Sequence, residues 1–295
     1  MEKLVFDVGG TNVKYALMEN DATIKEHFEI PTVRDTFEGF MDSLMPIYQK
    51  YQDQIDGIAF SLPGRINSET GFVYSPGALV FNYKTNFVER ASHYFPCRIT
   101  IENDGKCAAL AEKWKGNLQD VESGIVMVIG TGIGGGIILD NKLYKGHDFF
   151  AGEFSYMMTQ FNNCSLLSSL AYSASTSALI RMVAADKKLE ATELDGKKIF
   201  ALIEKGDEDA IKAFDQMCTT LAGGIFTIQA IINPEKVLLG GGISKQPLVV
   251  KTVNDKVNEI YEKIQFEIPH AKIGTCKFFN ESNLIGALYA HQQNC

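Results

Sequence analysis

Three apolar, β-rich runs in this chain each end in a cluster of glycines, and no other feature restricts the possible folds as much. Leu4 to Phe6 precedes Gly9-Gly10, Gly124 to Ile129 precedes Gly130, and Val237 to Leu239 precedes Gly240-Gly241-Gly242. Each reads as a strand running into a turn. After the first cluster the residues Asn12 to Met18 form a second strand-like run, and after the second cluster Gly136 to Leu139 does the same before the turn at Asp140-Asn141. Both are hairpins rather than strand-to-helix turns. They lie about 120 residues apart and open the two halves of the chain, which predicts a duplicated α/β unit.

Helical patterning is expected at Phe37 to Tyr51, Cys107 to Trp114, Ser175 to Ala185, Lys197 to Glu204, Asp207 to Ile232, Lys251 to Gln265 and Asn283 to Gln292. A chain of 295 residues suits two packed lobes of roughly 100 to 200 residues each. The expected division is a small N-terminal α/β domain of residues 1–105 plus 280–295 and a larger C-terminal α/β domain of residues 106–279, with hinges at Glu102 to Lys106 and Phe278 to Asn283.

The formal charge of -8, from 36 acidic and 28 basic side chains, repels a polyphosphate backbone and speaks against nucleic acid as a partner. A nucleotide is still admissible, because backbone N–H groups and a magnesium ion hold phosphates in acidic proteins. The six cysteines, at 97, 107, 164, 218, 276 and 295, show no short paired spacing of the zinc-site or secreted-disulfide kind. There is no signal-like N-terminus and no run of about 18 apolar residues, so a cytoplasmic protein without a membrane partner is expected.

The first glycine cluster lies within Asp7-Val8-Gly9-Gly10-Thr11-Asn12-Val13-Lys14. Paired glycines let backbone N–H groups approach anionic oxygens, and Thr11 adds a hydroxyl. Asp7, at a strand end, is placed to hold a hydrated magnesium ion, while Lys14 either balances phosphate charge or lies on the hairpin surface. The second motif, Gly130-Thr131-Gly132-Ile133-Gly134-Gly135-Gly136, contains G-x-G-x-x-G. A dinucleotide fingerprint needs a helix after the glycines, whereas a strand and turn follow here, so the walls of a phosphate pocket are the better reading. Gly240, Gly241 and Gly242 suit a flat base or ribose lying against bare backbone, or a plain turn.

Between the loops stands Ile101-Glu102-Asn103-Asp104-Gly105, an acidic cluster at a strand end. Asp104 is either a helix cap or a general base that takes a proton from a sugar hydroxyl attacking the γ-phosphorus, with Asn103 fixing neighbouring hydroxyls. Leu62-Pro63-Gly64-Arg65 and Ala151-Gly152-Glu153-Phe154 are further polyol candidates, since a carboxylate such as Glu153 accepts two hydroxyl hydrogen bonds at once.

Taken in order, DVGGTNVK, SLPGRI, ENDGKCAALAE, GTGIGGGI, AGEF and VLLGGGIS resemble the ROK family of sugar kinases and sugar-responsive repressors, over about residues 4 to 244. That resemblance implies an actin-like, ribonuclease-H-like ATPase fold with nucleotide and sugar meeting in an interdomain cleft. It implies Asp104 as catalytic base, and Gly64, Arg65, Asn103 and Glu153 as sugar-binding residues. The Asp7 and Gly130 loops become phosphate clamps, ATP and Mg2+ the cofactors, and a hexose 6-hydroxyl the acceptor. Dimers are common in the family, so a homodimer is an expectation of the resemblance alone. A repressor would carry a helix-turn-helix ahead of this core, and with the phosphate loop starting at residue 7 none is expected. A sugar-binding protein without catalysis is disfavoured by the intact Asp7, Asp104 and glycine loops.

Two departures bear on substrate. The family follows its Gly-Glu with a histidine three residues on, where this chain has Tyr156. Its cysteine-rich zinc motif, ending Cys-Leu-Glu, corresponds to Cys164 to Ala171, which holds one cysteine and has Ala171 at the glutamate position, so no structural zinc is expected. In relatives the histidine and second glutamate approach the anomeric hydroxyl. Their loss opens C1 to a substituent and points to a β-glucoside such as cellobiose rather than free glucose or N-acetylmannosamine. Tyr156 either stacks on a sugar face or lies in the core.

Overall fold

The computed structural model describes residues 1–162 and 165–293. In chain order the elements begin with β1 (Glu2–Val8), β2 (Asn12–Met18), β3 (Ile24–Pro31), α1 (Phe37–Tyr51), β4 (Ile55–Leu62), β5 (Arg65–Asn67) and β6 (Phe72–Ser75). There follow β7 (Thr85–Asn86), α2 (Phe87–Ser92), β8 (Arg98–Asn103), α3 (Asp104–Lys115), β9 (Gly124–Ile129), β10 (Ile133–Leu139) and β11 (Lys142–Tyr144). The remainder is α4 (Leu170–Ala174), α5 (Thr176–Lys187), α6 (Gly196–Glu204), α7 (Glu208–Ile232), β12 (Lys236–Gly240), α8 (Pro247–Tyr261), β13 (Lys272–Thr275) and α9 (Ser282–Gln293).

The chain divides into two units, one of Met1–Gln119, Leu143–Ala151 and Asn280–Cys295, the other of Asp120–Lys142 and Gly152–Phe279. The expected break near residue 105 moves to 119 because α3 belongs with the first unit. Its partner there is α9, and the two helices approach so closely at Gly286 that a Cβ at that position would lie 1.8 Å from the Cys107 carbonyl oxygen. Glu102 to Lys106 is therefore interior to the first unit and not a hinge. The segment Leu143–Ala151, expected in the second domain, also belongs to the first.

The first unit is built on a sheet of order β3-β2-β1-β4-β8, the second on strands in the order β10-β9-β12-β13. In each, a hairpin strand pairs antiparallel (β1 with β2, β9 with β10) and its other edge starts a parallel run (β1-β4-β8, β9-β12-β13). The shared order is the duplication that the two glycine hairpins predict, and the mixed sheets with flanking helices are those of an actin-like ATPase fold.

Local sequence explains the elements. Seven of the eight residues of β4 are buried, as a central strand covered on both faces requires. In α1 the side chains of Phe37, Phe40, Met41, Leu44, Ile47, Tyr48 and Tyr51 are buried at helical spacing, and Thr36 caps the helix by accepting from the Gly39 N–H at 3.0 Å. Between them lies an aromatic core in which Phe6 and Phe60 stack at 4.9 Å and Phe87 meets Phe60 edge-on at 5.1 Å. The helix expected at Lys251 to Gln265 starts at Pro247 and ends at Tyr261, since proline is suited to a first helical turn.

Candidate active site

In the first unit, parallel register sets the C-terminal ends of three strands side by side. Asp7 of β1 pairs with Ser61 of β4, Ser61 with Glu102 of β8, and Leu62 with Asn103. Open α/β sheets bind ligands at such ends.

Asn103 is the organising residue. It, and not Asp104, caps α3: its Oδ1 accepts from the Lys106 N–H at 3.1 Å. Its Nδ2 donates to the Gly64 carbonyl at 2.9 Å and to Asp104 Oδ1 at 2.9 Å, and its own backbone N–H donates to Glu102 Oε1 at 2.8 Å. Asp104, the first residue of α3, also accepts from the Gly105 N–H at 2.8 Å. The cap role thus falls to the neighbour, and the Asp104 carboxylate is held by two donors in one direction while remaining partly exposed.

Gly64 is required by geometry. Its φ is +103°, and a Cβ would lie 2.0 Å from the Ser75 carbonyl oxygen. Arg65 beside it stacks its guanidinium 4.4 Å from the Tyr74 ring centre and donates to the Asp148 carbonyl at 3.2 Å. Gly64, Arg65, Asn103 and Asp104 are therefore brought together.

Asp7 is 9% exposed and accepts from Asn283 Nδ2 of α9 at 2.9 Å and from Ser61 Oγ at 3.2 Å, both at Oδ1. Burial raises its pKa, with Asn283, Lys14 and Ser61 working against that rise. A buried carboxylate whose ionised form is under-solvated is suited to a hydrated divalent cation, and one carboxylate suffices for magnesium, which keeps most of its waters. The adjacent turn presents Gly9, Thr11 and Asn12 to solvent, with the Gly9 N–H bonded to the Asn12 carbonyl at 3.0 Å and Gly10 set closely against Ala78. Lys14 faces Asp7 across the hairpin.

In the second unit the glycines sort into two kinds. Gly135 and Gly241 are there for close backbone approach: a Cβ would lie 2.0 Å from the Val126 carbonyl oxygen at Gly135 and 2.2 Å from that of Ile129 at Gly241. Gly132 and Gly240 are tight against Ser155 and Cys276, whereas Gly130, Gly134 and Gly242 face open space. Gly130, Thr131 and Gly242 line a cavity of about 590 Å³ together with Thr176, Phe200 and Gln246. Two helices begin at its wall, α5 at Thr176 and α6 at Gly196, and the Thr176 N–H donates to the Gly130 carbonyl at 2.9 Å. Helix N-termini favour anionic groups, and Ile180 and Phe200 supply apolar surface for a flat ring. Thr176, Gly196 and Phe200 were not legible as site residues, although Ser175 and Asp195 are recognisable helix caps just before them.

Glu153 stands, half-buried, where a short 3-10 turn begins, and Gly152 before it adopts φ +85° against the Gly135 backbone. Tyr156 is 56% exposed, which removes the core reading. Cys164, at the head of the segment matching the family's zinc motif, lies outside the described residues, as does Cys295. Among the described residues no group of three His, Cys, Asp or Glu side chains is gathered as a metal site, and no helix is long and apolar enough to cross a membrane.

The chain is 28% identical to a β-glucoside kinase of Listeria monocytogenes over 296 residues, spanning 98% of this chain and 97% of the relative. A ROK family protein from Streptococcus pneumoniae, solved in complex with sucrose, superposes with a TM-score of 0.90 at 31% identity, covering 99% of this chain and 98% of that one. A ROK family glucokinase from Streptomyces griseus, solved with glucose and AMPPNP, shares the fold with a TM-score of 0.85 at 21% identity over 99% of this chain and 100% of that one. The model of the ROK family matches residues 4–294, so this chain belongs to the ROK family.

Proposed function

We propose that this protein is an ATP-dependent sugar kinase that transfers the γ-phosphoryl group to the 6-hydroxyl of a hexose, with Asp104 as general base. The observation that carries the reading is the Gly64–Asn103–Asp104 network, which aims one carboxylate from the end of β8 with two short donors. The sugar hydroxyl gives its proton to Asp104 as its oxygen attacks the γ-phosphorus, and ADP departs. Asn103, Arg65 and Glu153 orient the remaining hydroxyls. The cavity at Gly130 and Gly242 takes the nucleoside, and glycine backbone N–H groups of the Gly9 and Gly130 loops take its phosphates. Asp7 would hold magnesium through water, and the ion would neutralise charge on the phosphates.

Among sugars, we favour β-glucosides such as cellobiose, phosphorylated on the non-reducing glucose. Support comes from the exposed Tyr156 in place of the family's histidine and from relatives named β-glucoside kinases at 27% and 28% identity. Glucose and N-acetylmannosamine are the competing acceptors. We also expect a cytoplasmic homodimer, checked by sedimentation of the purified protein.

The test is ADP release on a panel of cellobiose, gentiobiose, glucose and N-acetylmannosamine, repeated on Asp104→Asn. The variant should lose about 10²- to 10⁴-fold in turnover while still binding sugar. An Asp104→Asn enzyme with near-native turnover refutes the base, and equal or better kcat/KM on free hexoses refutes the glycoside preference.

A further inference from the structure

Glu102 is 1% exposed and immediately precedes the Asn103–Asp104 pair, yet nothing in the proposed chemistry uses it. Its two oxygens have separate tasks. Oε1 accepts the Asn103 backbone N–H at 2.8 Å, and Oε2 lies 2.7 Å from Lys145 Nζ. The same ammonium group also reaches Ser68 Oγ.

Lys145 sits on Leu143–Ala151, the stretch that returns to the first unit between two segments of the second. That stretch closes on itself through the Ala151 N–H and the Lys145 carbonyl at 3.1 Å. Its contacts with the rest of the first unit include Lys145 on Glu102, the Asp148 carbonyl on Arg65, and the Phe149 ring stacked 6.3 Å from that of Tyr74. One of those anchors ends on Glu102, next to Asn103, and another on Arg65, itself a sugar-binding candidate.

A buried ion pair is a weak source of stability, because desolvation offsets most of the attraction. An apolar pair would fill the space as well. It would not hold the Asn103 peptide, and a carboxylate is needed to accept from two donors through two oxygens. We infer that Lys145 is a positioning residue for phosphoryl transfer: it fixes Glu102, Glu102 fixes the Asn103 peptide, and Asn103 aims the Asp104 carboxylate. The inference rests on Asp104 being the base. Misplacement of a reacting group by about 1 Å costs on the order of 10²-fold in rate, which sets the expected effect.

The experiment compares wild type, Lys145→Met, Lys145→Arg, Glu102→Gln and the double variant Glu102→Gln/Lys145→Met, in ADP release with ATP and the best acceptor of the panel above, alongside thermal unfolding. Lys145→Met should lower kcat by about 10²-fold with KM for sugar and ATP within about threefold, and Lys145→Arg should recover most of kcat. Glutamine retains one acceptor oxygen for two donors, so Glu102→Gln should show the same kcat-specific loss, and the double variant should fall no further than the worse single one. A Lys145→Met enzyme with kcat within about twofold of wild type, no recovery with arginine, or losses that multiply in the double variant would each overturn the inference. Should Lys145→Met not fold, Glu102→Gln decides alone, and a native kcat there overturns it. Absence of turnover in the wild type with every sugar removes the kinase reading and this inference with it, whereas an active wild type with indifferent variants removes this inference only.

Discussion

Acid should weaken this protein through one histidine, in an amount that the structure sets. His291, near the end of α9, is 1% exposed, and its ring lies over Gly57 of β4, where a Cβ would come within 2.6 Å of Nε2. Its Nδ1 is 2.8 Å from Thr100 Oγ1, and Arg98 donates to its carbonyl at 2.9 Å. Burial, then the positive charges of Arg98 and Lys3, pull its pKa from 6.5 to about 4, with Asp56 opposing. The unfolded chain therefore binds the proton first. The stabilisation from the neutral ring is complete above pH 6.5, is lost as pH falls towards 4, and changes no further below that. A shift of this size corresponds to about 3 kcal/mol at 1.36 kcal/mol per unit, which we reduce to about 2 kcal/mol because the Thr100 hydroxyl beside the ring can partly solvate its charged form. Urea unfolding of wild type and His291→Gln at pH 7.5, 6, 5 and 4 isolates the effect, because the other titratable groups are shared by both. The stability gap between the two should shrink by about 2 kcal/mol from pH 7.5 to 4. A gap constant to within about 0.5 kcal/mol across that range would refute the buried-neutral assignment.

Three further outcomes are expected. Gly64→Ala forces a Cβ towards the Ser75 carbonyl at φ +103°, so it should cost about 1–3 kcal/mol in thermal unfolding and lower kcat at least tenfold by shifting the Asn103 acceptor. Phe200→Ala removes an apolar wall of the cavity in the second unit and should raise KM for ATP about tenfold with the sugar KM unchanged in the same ADP-release assay. Asp7→Asn should abolish most turnover while raising Tm at pH 7.5 in metal-free buffer. Burial puts the folded pKa of this acid above its unfolded value, so ionisation above that range favours the unfolded chain, and a neutral amide is relieved of it.

The glycine hairpins were readable because closely spaced glycines after an apolar run leave few backbone options, and both formed where expected, at Gly9-Gly10 and at Gly130-Thr131-Gly132. The Phe37–Tyr51 helix was likewise legible from seven apolar positions at helical spacing. What escaped was long-range. The small sheet of β5, β6 and β7 has strands of two to four residues, too short for a period to show, and yet it frames Gly64 and Arg65. Asn103 could not be told from Asp104 as the helix cap, because both are good cap residues and the choice depends on Gly64, some forty residues earlier. Asn283 carries no local motif and gains meaning only where α9 delivers it to Asp7. The cavity at Gly130 and Gly242 draws its wall from the starts of two helices that are adjacent only after folding.

Because the first unit is assembled from three separate stretches of chain, no single uninterrupted fragment can reproduce it. A piece ending at Gln119 would present a β8 terminus with Glu102 stripped of its ammonium partner and an α3 flank bare where α9 belongs. Dissection of this protein into halves is thus closed to simple truncation, whereas supplying the missing last helix as a separate peptide gives a direct way to ask when during folding Asp7 acquires its amide neighbour.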